Sequence, residues 1–227
     1  MQNPAPSAAR TPPVGGYRKG DEARQRILDA ALAAFGAEGF RGATTRRIAE
    51  AAGVNLPALQ YYFGGKEGLY LACAEEIVDR YRRQMLRPIG AAQDALPPTA
   101  GPEDARTALK ALLGGLAEQL LATEEAQAWT AFVLREVAEQ GPAFAILYEQ
   151  VWAPGVELIT QLISRALAEP TPSEAARIEA LLLLSGLSAF SVARPVALKQ
   201  LGWSDSAGLR FDRVKRTLDA QIDRLGR

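Results

Sequence analysis

Residues 43–70 read ATTRRIAEAAGVNLPALQYYFGGKEGLY, and the capping and turn-forming residues in this segment divide it into short helices. Thr44 is a good N-cap for one short helix, which Gly53 ends. Asn55 can cap the next helix, and Pro57 falls in its first turn, where a missing N–H costs nothing. Two short helices joined by a tight turn that contains glycine form a candidate helix-turn-helix.

The second of these helices, which Gly64 and Gly65 stop, has two distinct faces. At about 100° per residue, Leu59 and Phe63 point one way and Tyr61 points the other way. The inner face is expected to pack against the protein. The outer face is free to read DNA.

The side chains that could contact DNA fall into three groups. Base readout is expected from the residues near the start of the helix that would enter the major groove, namely Leu56, Pro57 and Gln60. Phosphate contacts are expected from Tyr61, Tyr62 and Lys66. The residues at the start of the preceding helix that could reach phosphate or guanine are Arg46 and Arg47. The alternatives are an aromatic core cluster at residues 61–63 and a solvated first turn at the two arginines.

The rest of the chain shows helical spacing and no convincing strand alternation, which predicts an all-α fold. Helices are expected over residues 21–37 and 66–87 and, after a linker at 91–101, over 103–123, 125–139, 143–168, 173–200 and 209–225. Pro154 and Gly155 should kink or break the helix over 143–168. The predicted domains are a disordered arm (1–20), a three-helix helix-turn-helix domain (21–66) and a larger helical ligand-binding and dimerisation domain (67–227).

Composition argues against several classes of protein. Histidine is absent and cysteine occurs once, at Cys73, so no Ser-His-Asp triad, disulfide framework or multi-cysteine metal site is expected. We expect no catalytic residues, no cofactor and no metal. A lone cysteine suits a reducing cytoplasm. The N-terminus lacks the apolar region of a signal peptide, and no window offers about 18 uninterrupted apolar residues, so no membrane partner is expected.

The formal net charge is zero, but the charge is unevenly distributed. Residues 1–87 carry 13 Lys and Arg against 9 Asp and Glu, a surplus of four, and residues 88–227 carry 13 against 17, a deficit of four. This asymmetry suggests one end that binds nucleic acid and one that does not.

Residues 43–70 resemble the helix-turn-helix signature of the TetR/AcrR regulators, and the pattern AAxxxFxxxGF at residues 30–40 extends the resemblance upstream. The resemblance implies phosphate contacts from Thr45 and Tyr62, Lys66 near the DNA backbone, and a base contact from Arg46. It places on the recognition surface Asn55, Leu56, Pro57, Gln60 and Tyr61. Thr44 and Arg47 complete the predicted DNA-binding set. Many members have tyrosine where this chain has Gln60, so the operator sequence cannot be taken from a relative.

Residues 135–170 and 188–202 look like the C-terminal domain of the subgroup that includes the regulator of cefoperazone and chloramphenicol sensitivity. The resemblance implies a homodimeric repressor that a small-molecule inducer releases from a palindromic operator, with transporter genes as targets. It also implies an inducer pocket and a four-helix bundle that the last two helices form across a two-fold axis. The helix beginning at Lys66 is expected to be the only link between sensor and reader.

The residues proposed for these two sites are chosen by residue type and spacing. The pocket residues are Trp129, Phe132, Arg135, Glu136, Tyr148, Trp152, Phe190 and Arg194. The dimer-interface residues are Leu181, Leu184, Ser185, Ser188, Phe211, Val214, Leu218 and Ile222. Core packing of the aromatics, surface ion pairs at the charges, and an intrachain core for the last two helices remain open.

Two other functions are compatible with parts of the sequence. One is a helical small-molecule carrier or enzyme that uses Glu136, Glu149 or Glu157 with Arg135, although no catalytic motif supports it. The other is a DNA-binding regulator that needs no ligand. The size of the C-terminal part favours a sensor.

Overall fold

Helices make up every regular element among the residues that the computed structural model describes, which are residues 14–94, 97, 99–122, 125–203 and 207–226. In chain order they are α1 (Val14–Gly42), α2 (Thr45–Ala51), α3 (Leu56–Phe63), α4 (Lys66–Asp94), α5 (Pro102–Ala122), α6 (Glu125–Glu139), α7 (Phe144–Leu147), α8 (Ala153–Ala166), α9 (Glu174–Val192), α10 (Arg194–Leu201) and α11 (Ala207–Ile222). A π-helical segment, Tyr148–Trp152, joins α7 to α8. The predicted all-α fold class is confirmed.

The first helix is longer than the sequence predicts. It begins at Val14, so residues 14–20, expected in a disordered arm, are helical, while residues 1–13 of that arm lie outside the described residues. Two prolines precede Val14 in the sequence and none follows within the helix, so no proline interrupts its hydrogen bonds. α1 bends at Gly39, whose φ of 73° lies in the left-handed region that favours glycine.

Prolines account for the other differences. α4 continues through Pro88 to Asp94, into the predicted linker, and a β-carbon added at Gly115 of α5 would lie only 2.7 Å from Cγ of Pro88. Pro88 therefore packs directly against α5. The helix expected over 173–200 is instead two helices, because Pro195 lies in the first turn of α10 and cannot continue α9. No break is found at Pro154: helical residues run without a gap from Phe144 to Ala166, and Pro154 lies in the first turn of α8, directly after the π-helical segment.

Buried side chains form two cores that α4 joins. The first core contains α1, α2, α3 and the first half of α4, together with Phe132 of α6 and Leu147 of α7. The second core contains the second half of α4 with α5, α8, α9 and α11. In the sequence, α4 and α5 separate α6 and α7 from the helix-turn-helix, yet α6 and α7 pack on the first core. The first core therefore extends beyond the predicted domain boundary at residue 66.

Candidate DNA-binding site

Local hydrogen bonds build the helix-turn-helix as the sequence predicts. The Thr44 hydroxyl accepts a hydrogen bond from the backbone N–H of Arg47 at 3.4 Å and caps α2. The Asn55 side-chain oxygen accepts one from the N–H of Ala58 at 2.9 Å and caps α3. Gly64 ends α3 in the left-handed conformation. Each cap side chain accepts a hydrogen bond from a backbone N–H that the first turn of its helix leaves unpaired. Asn55 thus fixes the start of α3, and Gly64 fixes its end.

The two faces of α3 differ as expected. Leu59 is fully buried in the first core and Phe63 is 9% exposed, so the inner face anchors the helix. On the outer face Tyr61 is 84% exposed and Leu56 is 45% exposed, and Pro57 is exposed beside them. An apolar surface facing solvent at the start of a short helix is suited to packing on the thymine methyl groups of a major groove.

Gln60 is exposed but does not point freely outward. Its side-chain nitrogen donates a hydrogen bond to the backbone carbonyl of Gly64 at 2.8 Å, across the end of α3. The amide must leave that carbonyl before it can pair with adenine. Base readout by Gln60 therefore requires a change of rotamer on binding.

The two arginines of α2 are in different positions. Arg46 is 84% exposed and pairs with Glu50 within the same helix at 3.3 Å, a contact that solvent screens strongly. Arg47 pairs instead with Glu38 of α1 at 2.8 Å, which turns its guanidinium towards α1. Arg46 is thus the better placed of the two for DNA. The guanidinium of Arg47 joins α2 to α1.

The remaining predicted contacts surround α3. Thr44 is exposed, whereas Thr45 and Tyr62 are half-buried, and the rings of Tyr61 and Tyr62 meet edge to face at 5.3 Å. The Lys66 ammonium donates a hydrogen bond to the carbonyl of Arg41 at 3.3 Å and lies 5.0 Å from the centre of the Phe40 ring. Lys66 therefore ties the start of α4 to the end of α1.

Gly68 is a positioning residue that sequence reasoning missed. A β-carbon there would overlap the carbonyl oxygen of Phe63, the last residue of α3, and would lie 3.2 Å from the carbonyl carbon. Glycine thus lets α4 start directly against the end of α3. A glycine inside a helical pattern was the available signal, because glycine is unfavourable there without a packing reason.

The aromatic residues predicted to line an inducer pocket pack on two different cores. Phe132 is fully buried in the first core, and Trp129 and Trp152 pack against that core. Tyr148 is 51% exposed, whereas Phe190 packs on the second core and its ring stacks on that of Trp203. The predicted inducer pocket stays a prediction, with its aromatic residues divided between the two cores.

The predicted polar anchors have structural partners. Glu136 is 1% exposed and accepts hydrogen bonds from the Tyr70 hydroxyl and, at 2.8 Å, from the backbone N–H of Ala143. Burial, reinforced by the bond to Glu136, raises the pKa of the Tyr70 phenol above its ordinary value. Arg135 pairs with Glu139 at 2.9 Å and donates to the carbonyl of Ala37 at 3.3 Å. Both residues fasten α6 to the DNA-binding end of the molecule.

Arg194 lies apart from these residues, half-buried at the start of α10. α10 packs on α9, whereas Arg135 and Glu136 lie on α6.

The predicted dimer residues divide into an exposed set and a buried set. Val214, Leu218 and Ile222 of α11 are 7%, 4% and 0% exposed in the second core, where α11 packs on α5. They are not available to a partner, so their assignment to the interface is corrected. Phe211 and Leu184 pack on the same core and Ser188 is half-buried, whereas Leu181 and Ser185 of α9 are exposed.

Comparisons with known proteins agree with this geometry. Residues 27–73 match the family described as bacterial regulatory proteins, tetR family, and residues 105–227 match the C-terminal domain of the HTH-type transcriptional dual regulator CecR. The chain is 31% identical over 208 residues to the CecR regulator of Shigella flexneri, covering 90% of this chain and 92% of that protein.

Solved structures with the same fold are also transcriptional regulators. One, from Pseudomonas aeruginosa PAO1, has a TM-score of 0.63 at 19% identity and covers 90% of this chain and 92% of its own. Another, AibR in complex with isovaleryl coenzyme A and operator DNA, has a TM-score of 0.59 at 17% identity and covers 88% of this chain and 97% of its own. These relatives are DNA-binding regulators and not enzymes. The chain therefore belongs to the TetR family of transcriptional regulators, in the subgroup with a CecR-type C-terminal domain.

Proposed function

We propose that the protein is a cytoplasmic repressor that binds a palindromic operator as a homodimer and leaves it when a small molecule binds. The observation that carries this proposal is the fixed geometry of α3. Its inner side chains are buried, its ends are capped, and Leu56, Pro57 and Tyr61 face solvent. A helix held in this way can enter a major groove without first having to order itself.

The exposed face of α9 supports a homodimer. Ile178, Leu181, Leu182 and Val192 are 52%, 48%, 62% and 47% exposed, and they share a stripe with helical spacing. Small residues, including Ser185 and Gly186, lie along the same stripe and permit close approach of a second helix. An apolar face of this length is unusual on a monomer and is what a two-fold interface requires.

A membrane is the other environment that would cover such a helix. α9 is long and apolar enough to cross one, with a mean hydropathy of 1.5 over its 18-residue window. However, Ala176, Ala180, Leu183 and Leu187 on its opposite face are buried in the second core. The face with these four residues is therefore buried within this chain. We propose that a second copy of α9 covers the exposed face.

The inducer would act by binding one conformation of the dimer better than another. In the favoured conformation the two α3 helices would no longer match half-sites one DNA turn apart, at roughly 34–36 Å. By analogy with the antibiotic-sensitivity subgroup, we propose transporter genes as targets. The Shigella relative is named a dual regulator. Activation at some promoters is therefore the second candidate function.

A selection experiment tests the proposal. Purified protein would be used to enrich duplexes from a random pool, and the enriched duplex would then be bound by mobility shift at several salt concentrations against a scrambled duplex. We expect tight, sequence-dependent binding of a dimer to a site with two-fold symmetry. Failure to enrich any sequence at low salt would refute the proposal.

The dimer surface has its own variant test. Leu182→Glu should leave the helix content unchanged and convert the protein to a monomer in analytical ultracentrifugation. Gln200→Glu, which adds the same charge at an exposed position of α10, serves as the control. A Leu182→Glu protein that stays dimeric would place the interface elsewhere.

A further inference from the structure

α6 packs along α1 and is held against it near both of its ends. Near the start of α6, the Trp129 ring lies 5.0 Å from the guanidinium carbon of Arg80, which pairs with Asp29 of α1 at 2.7 Å. Near the end of α6, Arg135 donates a hydrogen bond to the backbone carbonyl of Ala37 of α1 at 3.3 Å. Two attachments fix the direction of a helix as well as its position, whereas a single attachment would let it turn.

The attachment through Arg135 fits one arrangement of the two helices. Gly39 lies two residues after Ala37, at the bend in α1, and a β-carbon on it would be 3.1 Å from both Cδ and Nη1 of Arg135. The arginine therefore lies where a larger residue would crowd it, and its guanidinium meets a carbonyl near the negative end of a helix dipole. An ion pair with Glu139 at 2.9 Å holds the guanidinium in this orientation. A rotation of α1 against α6 would break the contact.

Arg135 and Gly39 belong to different parts of the chain. Gly39 lies within residues 27–73, which match the tetR family, whereas Arg135 lies within residues 105–227, which match the C-terminal domain of CecR. The C-terminal part also contains α9, whose exposed face forms the proposed dimer surface. The contact between α6 and α1 therefore relates the orientation of each α3 to the geometry of the dimer.

We propose that Arg135 is a positioning residue that sets the half-site spacing accepted by the homodimer. It acts through α1 and does not touch DNA. The proposal rests on the homodimer and the two-fold operator proposed above. One added base pair displaces a half-site by about 3.4 Å and rotates it by about 34°. A dimer whose helix-turn-helix domains are held in one orientation rejects such a site, and a dimer whose domains can turn accepts it more readily.

The test varies the spacing in the duplex that the wild-type protein enriches. One duplex gains a base pair between the half-sites, a second loses one, and a third keeps one half-site and has the other scrambled. Mobility shift gives the dissociation constant of each protein for each duplex.

We expect the wild-type protein to prefer the enriched spacing and R135Q to weaken that preference. The expected reduction is about threefold per protomer, or about tenfold for the dimer, because each protomer loses one partly exposed arginine contact. Affinity for the duplex with a single half-site should be unchanged, since α3 and its caps are unaltered. A role in stability alone would lower affinity for all of these duplexes equally.

Two controls separate the contact with α1 from net charge and from the ion pair. R165Q removes the same charge and a hydrogen bond from Arg165 of α8 to the carbonyl of Pro97, in the segment before α5. E139Q removes the ion pair but keeps the bond of Arg135 to Ala37. Both variants should keep the wild-type spacing preference within about twofold.

G39N disturbs the same contact from the side of α1. Asparagine tolerates the left-handed conformation of position 39, and its β-carbon would crowd the Arg135 side chain. It should weaken the spacing preference as R135Q does. R135Q decides the question if its circular dichroism matches that of the wild-type protein, and G39N decides it otherwise.

A wild-type spacing preference in the deciding variant would overturn the proposal and leave operator binding intact, even if that variant unfolds at a lower temperature. An equal loss of preference in R165Q or E139Q would overturn it as well, because the effect would then not belong to the contact with α1. If the wild-type protein binds all spacings equally, no spacing is set and the proposal fails, while operator binding stands. If the wild-type protein enriches no duplex, the proposed function fails and this proposal fails with it.

Discussion

Gly68 provides the sharpest test of how the recognition helix is positioned. Gly68→Ala would place a β-carbon against the carbonyl of Phe63, so either α3 or the start of α4 must move. The matched control is Gly90→Ala in the same helix, where a β-carbon would meet nothing within 4 Å. Both changes remove a glycine from α4, and only the first introduces a steric conflict.

The two substitutions should have opposite effects on the free energy of unfolding. Replacing glycine by alanine inside a helix stabilises by about 0.5–1 kcal/mol when there is room, which we expect at Gly90. Overpacking costs about 1–3 kcal/mol, and backbone atoms yield less readily than side chains. We expect Gly68→Ala to lose about 1–2 kcal/mol net, or a fall in Tm of roughly 2–8 °C for a chain of this size.

Thermal unfolding, followed by far-UV circular dichroism, compares the stability of the two variants. Their operator affinity is measured well below the unfolding transition. Gly68→Ala should also weaken specific binding, because α3 shifts relative to α1 and α4. If Gly68→Ala is as stable as Gly90→Ala and binds the operator like the wild type, the close approach of α3 and α4 does not exist as described, and the reasoning is wrong.

Three further predictions concern caps and buried hydrogen bonds. Asn55→Ala removes the α3 cap and should cost about 1 kcal/mol in denaturant unfolding, with a matching loss of operator affinity. Tyr70→Phe leaves the buried Glu136 carboxylate without its hydroxyl partner and should cost about 1–3 kcal/mol, whereas Tyr81→Phe, whose hydroxyl has no hydrogen bond among the described residues, should be close to neutral. The pKa of Tyr70 is raised on folding, so its contribution to stability is present below the ordinary phenol pKa of about 10 and is lost as the pH rises above it. Tyr70→Phe should therefore show a weaker alkaline loss of stability than the wild-type protein in urea titrations at several pH values.

Features that depend on neighbouring residues could be predicted from the sequence. Thr44 and Asn55 cap their helices because a short polar side chain reaches an N–H three residues ahead, whatever the rest of the fold does. The inner face of α3 was predictable for the same reason, since Leu59 and Phe63 are one helical turn apart. The set of DNA-contacting residues stays a prediction, which requires the outer face of α3 to be exposed. That face is exposed in the structure.

Features that depend on which helices meet could not be predicted in this way. The seam of α11 is apolar at helical spacing, but spacing does not state whether α5 or a second protomer covers it, and in the structure α5 does. Glu136 stands among apolar residues as a ligand anchor would, yet the Tyr70 hydroxyl satisfies it from a helix 66 residues away. Apolar neighbours in the sequence single out such a charge, whereas its burial and its partner are properties of the tertiary structure.

The same contacts limit the routes by which the proposed inducer could affect DNA binding. The sequence suggests that α4 alone joins the sensor to the reader, but α6 also packs on the first core through Phe132, whose ring centre is 4.8 Å from that of Tyr70.

Charged groups make a second connection between the same helices. Arg80 of α4 pairs with Asp29 of α1 at 2.7 Å, and its guanidinium carbon is 5.0 Å from the centre of the Trp129 ring of α6. These contacts fix α1, α4 and α6 to one another, so a shift of α4 alone would break buried hydrogen bonds and ring contacts. In the proposed dimer, a conformational change that separates the two α3 helices must therefore carry α6 along with α4, or else break the Tyr70–Glu136 bond. In either case, a ligand that contacts α6 would act directly on the helix-turn-helix. The two conformations would differ in buried contacts, and ligand binding could offset the free energy of losing those contacts.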